Sequence, residues 1–203
     1  VNAEFKNKFG ERDVFGYTAR ERFGSWAGES WRKYIVWSGQ HQLTELVGLD
    51  AALCGNLADV EEAEDWNHNI HAAGLTHLYW DLPYLRSKFS DTAVFNLLAV
   101  TRNQADDPRF WKPPEGFLYL GSDLLDDGTG ISALTNCGGF PDVFPNSEIS
   151  PLGLIPDWNR AVEIQVALAR AHPEEAHAQC ALWSIWRHLG SIPPTPTTNP
   201  SNT

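Results

Sequence analysis

The sequence predicts an α+β fold: one domain in which a small antiparallel or mixed sheet is packed by C-terminal helices. Three observations lead there. The runs 93–100 and 116–125 are rich in apolar, strand-compatible residues, and Asp126-Asp127-Gly128-Thr129-Gly130 then gives way to a resumed alternation at 131–135, the pattern of an antiparallel hairpin. The C-terminal third carries its apolar residues at helical spacing. Strand and helix patterns do not alternate regularly along the chain, which counts against the rival, a mainly parallel α/β sheet.

Taken in order, Tyr34-Ile35-Val36-Trp37 is β-preferring and stops at Ser38-Gly39, so a short strand or the entry to a helix-capped turn is expected there. Leu43, Leu46, Val47 and Leu49 lie near helical spacing, weakened by Gly48 and halted by Cys54-Gly55-Asn56, which predicts a short connecting helix or turn. Asp59 to Asp65 reads as an acidic surface segment. Asp81 is placed to cap a short helix carrying Pro83 in its first turn, where the missing N–H is harmless, with Tyr84, Leu85, Lys88 and Phe89 at the right spacing. Pro108, Pro113 and Pro114 make 106–114 an irregular loop.

Asp157 is expected to cap a helix with Val162, Val166 and Ala169 on one stripe and Leu168 beside it, broken at His172-Pro173. Glu174 and Glu175 then suit the start of a last helix, with Leu182, Ile185, Trp186 and Leu189 on its apolar face and Gly190 as its stop. Residues 1–190 therefore read as the folded domain. The segment 191–203, with Pro193, Pro194, Pro196 and Pro200 among Thr, Ser and Asn, has too little apolar surface to offset the entropy of ordering it and reads as a disordered tail. No internal repeat is present.

Charge narrows the function classes. Fifteen Lys plus Arg against 26 Asp plus Glu leave a net charge of −11, a field that repels nucleic acid and anionic lipid and favours a basic protein partner. No apolar run is long enough to span a bilayer, and the three scattered cysteines, Cys54, Cys137 and Cys180, read as reduced thiols, so a cytosolic protein is expected. There is no P-loop and no dinucleotide fingerprint, and no cofactor is expected.

Candidate sites are of three kinds. In Thr135-Asn136-Cys137-Gly138-Gly139-Phe140-Pro141 a thiol precedes two residues that turn freely, so a thiolate at Cys137 with His68, His71 or His77 as base and the amides around Gly138 and Gly139 as oxyanion donors would make a thiol-dependent hydrolase or transferase. The same histidines do not form a zinc motif such as HExxH, and no metal site is expected; Asp123, Asp126 and Asp127 read as hairpin-turn residues rather than a calcium loop.

Nine tryptophans form the third kind. Most are expected in the core, but Trp26, Trp31, Trp66 and Trp111 have polar, glycine or loop neighbours and read as exposed binding anchors, with Gly138 and Gly139 beside them. An acidic, tryptophan-bearing protein of this kind is expected to be a non-enzymatic binding module, inhibitor or immunity-like, for a basic protein; the thiol enzyme is the alternative.

Overall fold

The sheet is built around strands that are apolar on both faces. In the computed structural model, which describes residues 14–50, 52–54, 69–73, 76–79, 81–103, 115–126 and 129–191, nine strands and three α-helices are found. The strands are β1 (Val14–Glu21), β2 (Phe23–Gly24), β3 (Glu45–Leu46), β4 (Asn69–Ala73), β5 (Thr76–Tyr79), β6 (Phe95–Asn103), β7 (Phe117–Asp126), β8 (Ile131–Ser132) and β9 (Ala181–His188). The helices are α1 (Glu29–Ser38), α2 (Leu82–Lys88) and α3 (Trp158–Ala171). Seven strands form one sheet in the order β4-β5-β1-β6-β9-β7-β8, every neighbouring pair antiparallel, while β2 and β3 pair separately. The described residues make a single α+β domain.

Alternation along the strands divides the core. Leu97 and Ala99 of β6 point to the side covered by α2, where Leu85 and Phe89 pack with Tyr17, Ala19 and Trp186. Leu98 and Val100 point the other way, to Ile185, Trp183 and Leu125 under a cover of Val47, Leu49 and Leu154. Helix α3 lays Ala161, Ile164 and Leu168 against Leu124 and Leu182.

Several expectations hold. The hairpin joins β7 to β8, with Leu125 opposite Ser132, although its second strand ends at Ser132 and the chain turns through 133–135. Asp81 caps α2 by accepting from the Tyr84 N–H, and Asp157 caps α3 by accepting from the Arg160 N–H. Helix α3 ends at His172 as the His172-Pro173 pair implied.

Four expectations are corrected. Residues 181–188 form not a helix but β9, the strand between β6 and β7; it is buried on both faces, so its apolar residues lose the strand alternation and mimic helical spacing. Tyr34 to Trp37 belong to α1, because Trp31, Tyr34 and Ser38 share one buried face and packing overrides local β preference. The 43–49 segment, expected as a short connecting helix or turn, forms no helix; it is a bent connection that contains the two residues of β3, paired with β2. The inward stripe of α3 is Ala161, Ile164 and Leu168, one residue off the expected one, which leaves Val166 exposed. The 59–65 and 106–114 segments and residues 192–203 lie outside the described residues, while Ser191, placed at the start of the tail, is buried and accepts from the Leu97 N–H through its Oγ.

Where the sheet meets the β2–β3 pair, a buried carboxylate holds the pieces together. Glu45 Oε1 accepts from Arg22 Nε at 3.1 Å and Asn96 Nδ2 at 2.9 Å, and Oε2 accepts from Arg187 Nη1 at 2.8 Å. Arg22 donates on through Nη1 to the carbonyls of Thr92 and Ser191. Removing one member of such a network leaves buried charge without compensation. Glu45→Ala is therefore expected to cost about 3–5 kcal/mol, read as a lowered urea midpoint with little change in slope; a loss below about 1 kcal/mol, the scale of an exposed ion pair, would show that the cluster is solvated.

Candidate functional site

Residues 132–140 are held from beneath by a set of polar groups gathered from distant parts of the chain. Asp50, 1% exposed, accepts through Oδ1 from the N–H groups of Ala52 and Leu53, and through Oδ2 from the Ser132 N–H at 3.0 Å and Asn136 Nδ2 at 3.2 Å. Asp123 accepts from the Leu49 N–H at 3.1 Å and from Ser132 Oγ at 2.6 Å. Tyr34 donates to the Thr135 carbonyl at 2.8 Å, and Gln40 Nε2 to that of Leu134 at 2.6 Å. Asp50, Asp123, Tyr34 and Gln40 are all buried, and each bonds to a residue of the turn it supports.

The electrostatics of this floor follow from desolvation. Burial pushes the Asp123 carboxyl up to about 6 in spite of the hydrogen bonds from Ser132 and Leu49. Burial likewise lowers the Arg20 guanidinium to about 10, against the pull of Cys54, Asp123 and Asp50. Burial and then the charge of Asp50 push the Cys54 thiol up to about 12, which makes it inert as a nucleophile.

Above the floor, the short helical turn Asn136–Gly138 leads into Gly139. Gly138 and Gly139 have φ of 80° and 71°, and a Cβ on Gly139 would stand 2.9 Å from the Leu134 carbonyl oxygen, so both conformation and space require glycine there. On Gly138 the added carbon would lie 3.4 Å from the Ser38 carbonyl oxygen, which places this turn against the C-terminal end of α1. There the outer surface of α1 carries Val36 and Trp37, 76% and 61% exposed. On its other side the turn borders a concavity of about 320 Å³, lined by Ser132, Asn136, Gly139, Phe140, His172 and Glu175.

Of the predicted residues, Gly138 and Gly139 are at this surface and Cys137 has its backbone in the turn. Trp26 is 53% exposed, with the Arg22 guanidinium 5.3 Å from its ring centre. Trp31 is a correction: it is 6% exposed and packs on Phe23 and Tyr34, because it falls on the inward face of α1. His71 and His77 lie on β4 and β5, and four strands separate β5 from β8, which precedes the Cys137 turn. His68, Trp66 and Trp111 lie outside the described residues.

Asp126 does serve the hairpin turn, accepting from Thr129 Oγ1 and the Gly130 N–H, but Asp123 is a buried strand residue beneath the site. Among the described residues no group of three or more His, Cys, Asp or Glu side chains is placed to hold a metal ion. Sequence reasoning missed Val36, Trp37, Asp50, His172, Asp142 and Glu175. The only signal for Trp37 was its place before Ser38-Gly39, and for His172 its place before a proline.

The raised Asp123 carboxyl makes a directional claim about stability. Its folded value of about 6 lies above the unfolded value near 4, so the folded state binds the extra proton between them. The stability that this proton contributes is full below about pH 4 and lost as the pH rises through about 6, on the order of 3 kcal/mol. The difference in unfolding free energy between the natural protein and Asp123→Asn, measured by urea denaturation from pH 4 to 7.5, is expected to fall with rising pH; a flat difference curve would rule the assignment out. No family model matches this chain, and neither the curated proteins nor the solved structures offer a match to it.

Proposed function

We propose that this protein is a non-enzymatic binding module, inhibitor or immunity-like, that engages a basic segment of another protein across the outer surface of α1 and the Asn136–Phe140 turn. The observation that carries this reading is the exposure of two tryptophans at the two ends of α1, Trp26 in the turn just before it and Trp37 near its C-terminal end. Tryptophan combines a large apolar face with an indole N–H and is among the residues most favoured at binding hot spots. Val36, beside Trp37 in sequence, adds exposed apolar area on the same helix.

Charge selects the partner. The chain carries a net −11, and beyond the turn the exposed carboxylates Asp142, Glu174 and Glu175 face the solvent beside the concavity. A basic segment meeting these would be steered in by the field and fixed by the aromatic anchors.

The test uses fluorescein-labelled basic peptides containing aromatic residues, with acidic peptides of the same length as controls, titrated by anisotropy at about 0.15 M salt. A basic peptide is expected to bind, and Trp37→Ala to weaken it about tenfold or more while leaving stability nearly unchanged. Basic peptides binding no better than the acidic ones, or equal affinity for Trp37→Ala, would sink the reading. The thiol-enzyme alternative makes a separate demand: iodoacetamide must label Cys137 faster at neutral pH than Cys54 and Cys180, both of which the fold buries.

A further inference from the structure

His172 caps the C-terminal end of α3, donating its N–H to the Leu168 carbonyl, and its ring crosses from that helix to the neighbouring turn. Nε2 stands 2.8 Å from Asp142 Oδ2 and Nδ1 stands 3.1 Å from Glu175 Oε1. A neutral imidazole keeps a bare lone pair on one nitrogen, which at either position would face a carboxylate oxygen. Only the doubly protonated ring donates to both. The Phe140 ring lies 4.9 Å from it, centre to centre, and the negative end of α3 favours the same positive charge. Asp142 itself rides on a turn anchored by buried Phe144, whose N–H bonds to the Phe140 carbonyl.

We propose that His172 is a proton-operated clasp that ties the end of α3 to the 140–144 turn and sets the charge on the rim of the concavity. With the proton on, the ring neutralises one of its two carboxylate partners. With the proton off, the ring can donate to one carboxylate only, the other is released, and the rim gains one negative charge beside Phe140. The consequence for recognition rests on the basic-partner reading above: a cationic side chain of the partner and the imidazolium compete for the same two carboxylates, so the partner is held more tightly at higher pH.

Among the described residues, the charged groups that bear on the ring are Asp142 from the turn and Glu175 from the segment after α3, and both raise its affinity for a proton. The clasp is therefore fully formed below the ordinary imidazole value of about 6.5 and is lost as the pH rises through the higher folded value.

Two measurements test this on the intact chain. In the first, the Cε1–H resonance of His172, assigned by its disappearance in His172→Gln, is followed by NMR from pH 5 to 9. Its midpoint is expected above about 6.5 and lower in Asp142→Asn; a midpoint at or below about 6.5, unmoved by that substitution, overturns the clasp. In the second, the best basic peptide is titrated across the same pH range. Affinity is expected to rise about threefold through the midpoint in the natural protein, the scale of one partly screened charge, and to stay level in His172→Gln. An equal slope in both proteins overturns the competition. A normal His172 titration with no peptide binding at any pH would instead overturn the binding reading and uphold the clasp.

Discussion

A single buried carboxylate, Glu45, determines how the small β2–β3 pair and the loop after α1 sit on the main sheet. It lies on a two-residue strand that has too few backbone bonds to hold its own position, yet its side chain reaches Arg22 between β1 and β2, Asn96 on β6 and Arg187 on β9. Fixing Glu45 also fixes Val47 and Leu49, which roof the sheet, and a few residues later Asp50, which holds up the Asn136 turn. The surface that would meet a partner thus depends on an ion pair at the other end of the same loop. Buried ionic groups of this kind add little net stability over apolar packing, but they tolerate few alternative arrangements.

The fold class was legible, and so were the devices that obey local rules. Asp81 and Asp157 announced their helices because an N-cap needs only a side-chain oxygen two or three residues before free N–H groups. The β7–β8 hairpin announced itself through its turn composition. Elements decided by distant packing were not legible. In β9 both faces are buried, and its polar residues Ser184 and Arg187 fall three apart, on opposite faces, so no apolar–polar alternation marks a strand. In α1, Ile35 and Val36 suggested a strand, while Trp31, Tyr34 and Ser38, spread over eight residues, supplied the helical face that won.

The site shows the same division. Gly138 and Gly139 could be singled out because a pair of adjacent glycines has a backbone meaning by itself. His172, Asp142 and Glu175 are separated by up to 33 positions, and nothing in their spacing says that a helix end and a turn will bring them together. Trp31 and Trp37 are six residues apart on one helix; deciding which of them meets solvent needs the helix first, and then its rotation.

The place of β9 has a bearing on how the molecule is made. β6 and β7 do not pair with each other; each pairs with β9, so the sheet is two separate antiparallel pieces until residues 181–188 are inserted between them. A ribosome must deliver that segment before the core of Leu98, Val100, Trp183 and Leu125 can close. During that interval the inner edges of both pieces present open backbone groups, the condition in which nascent chains pair with the wrong neighbour. Synthesis rate and chaperone supply therefore bear on the yield of this protein more than on that of a fold whose central strand is made early.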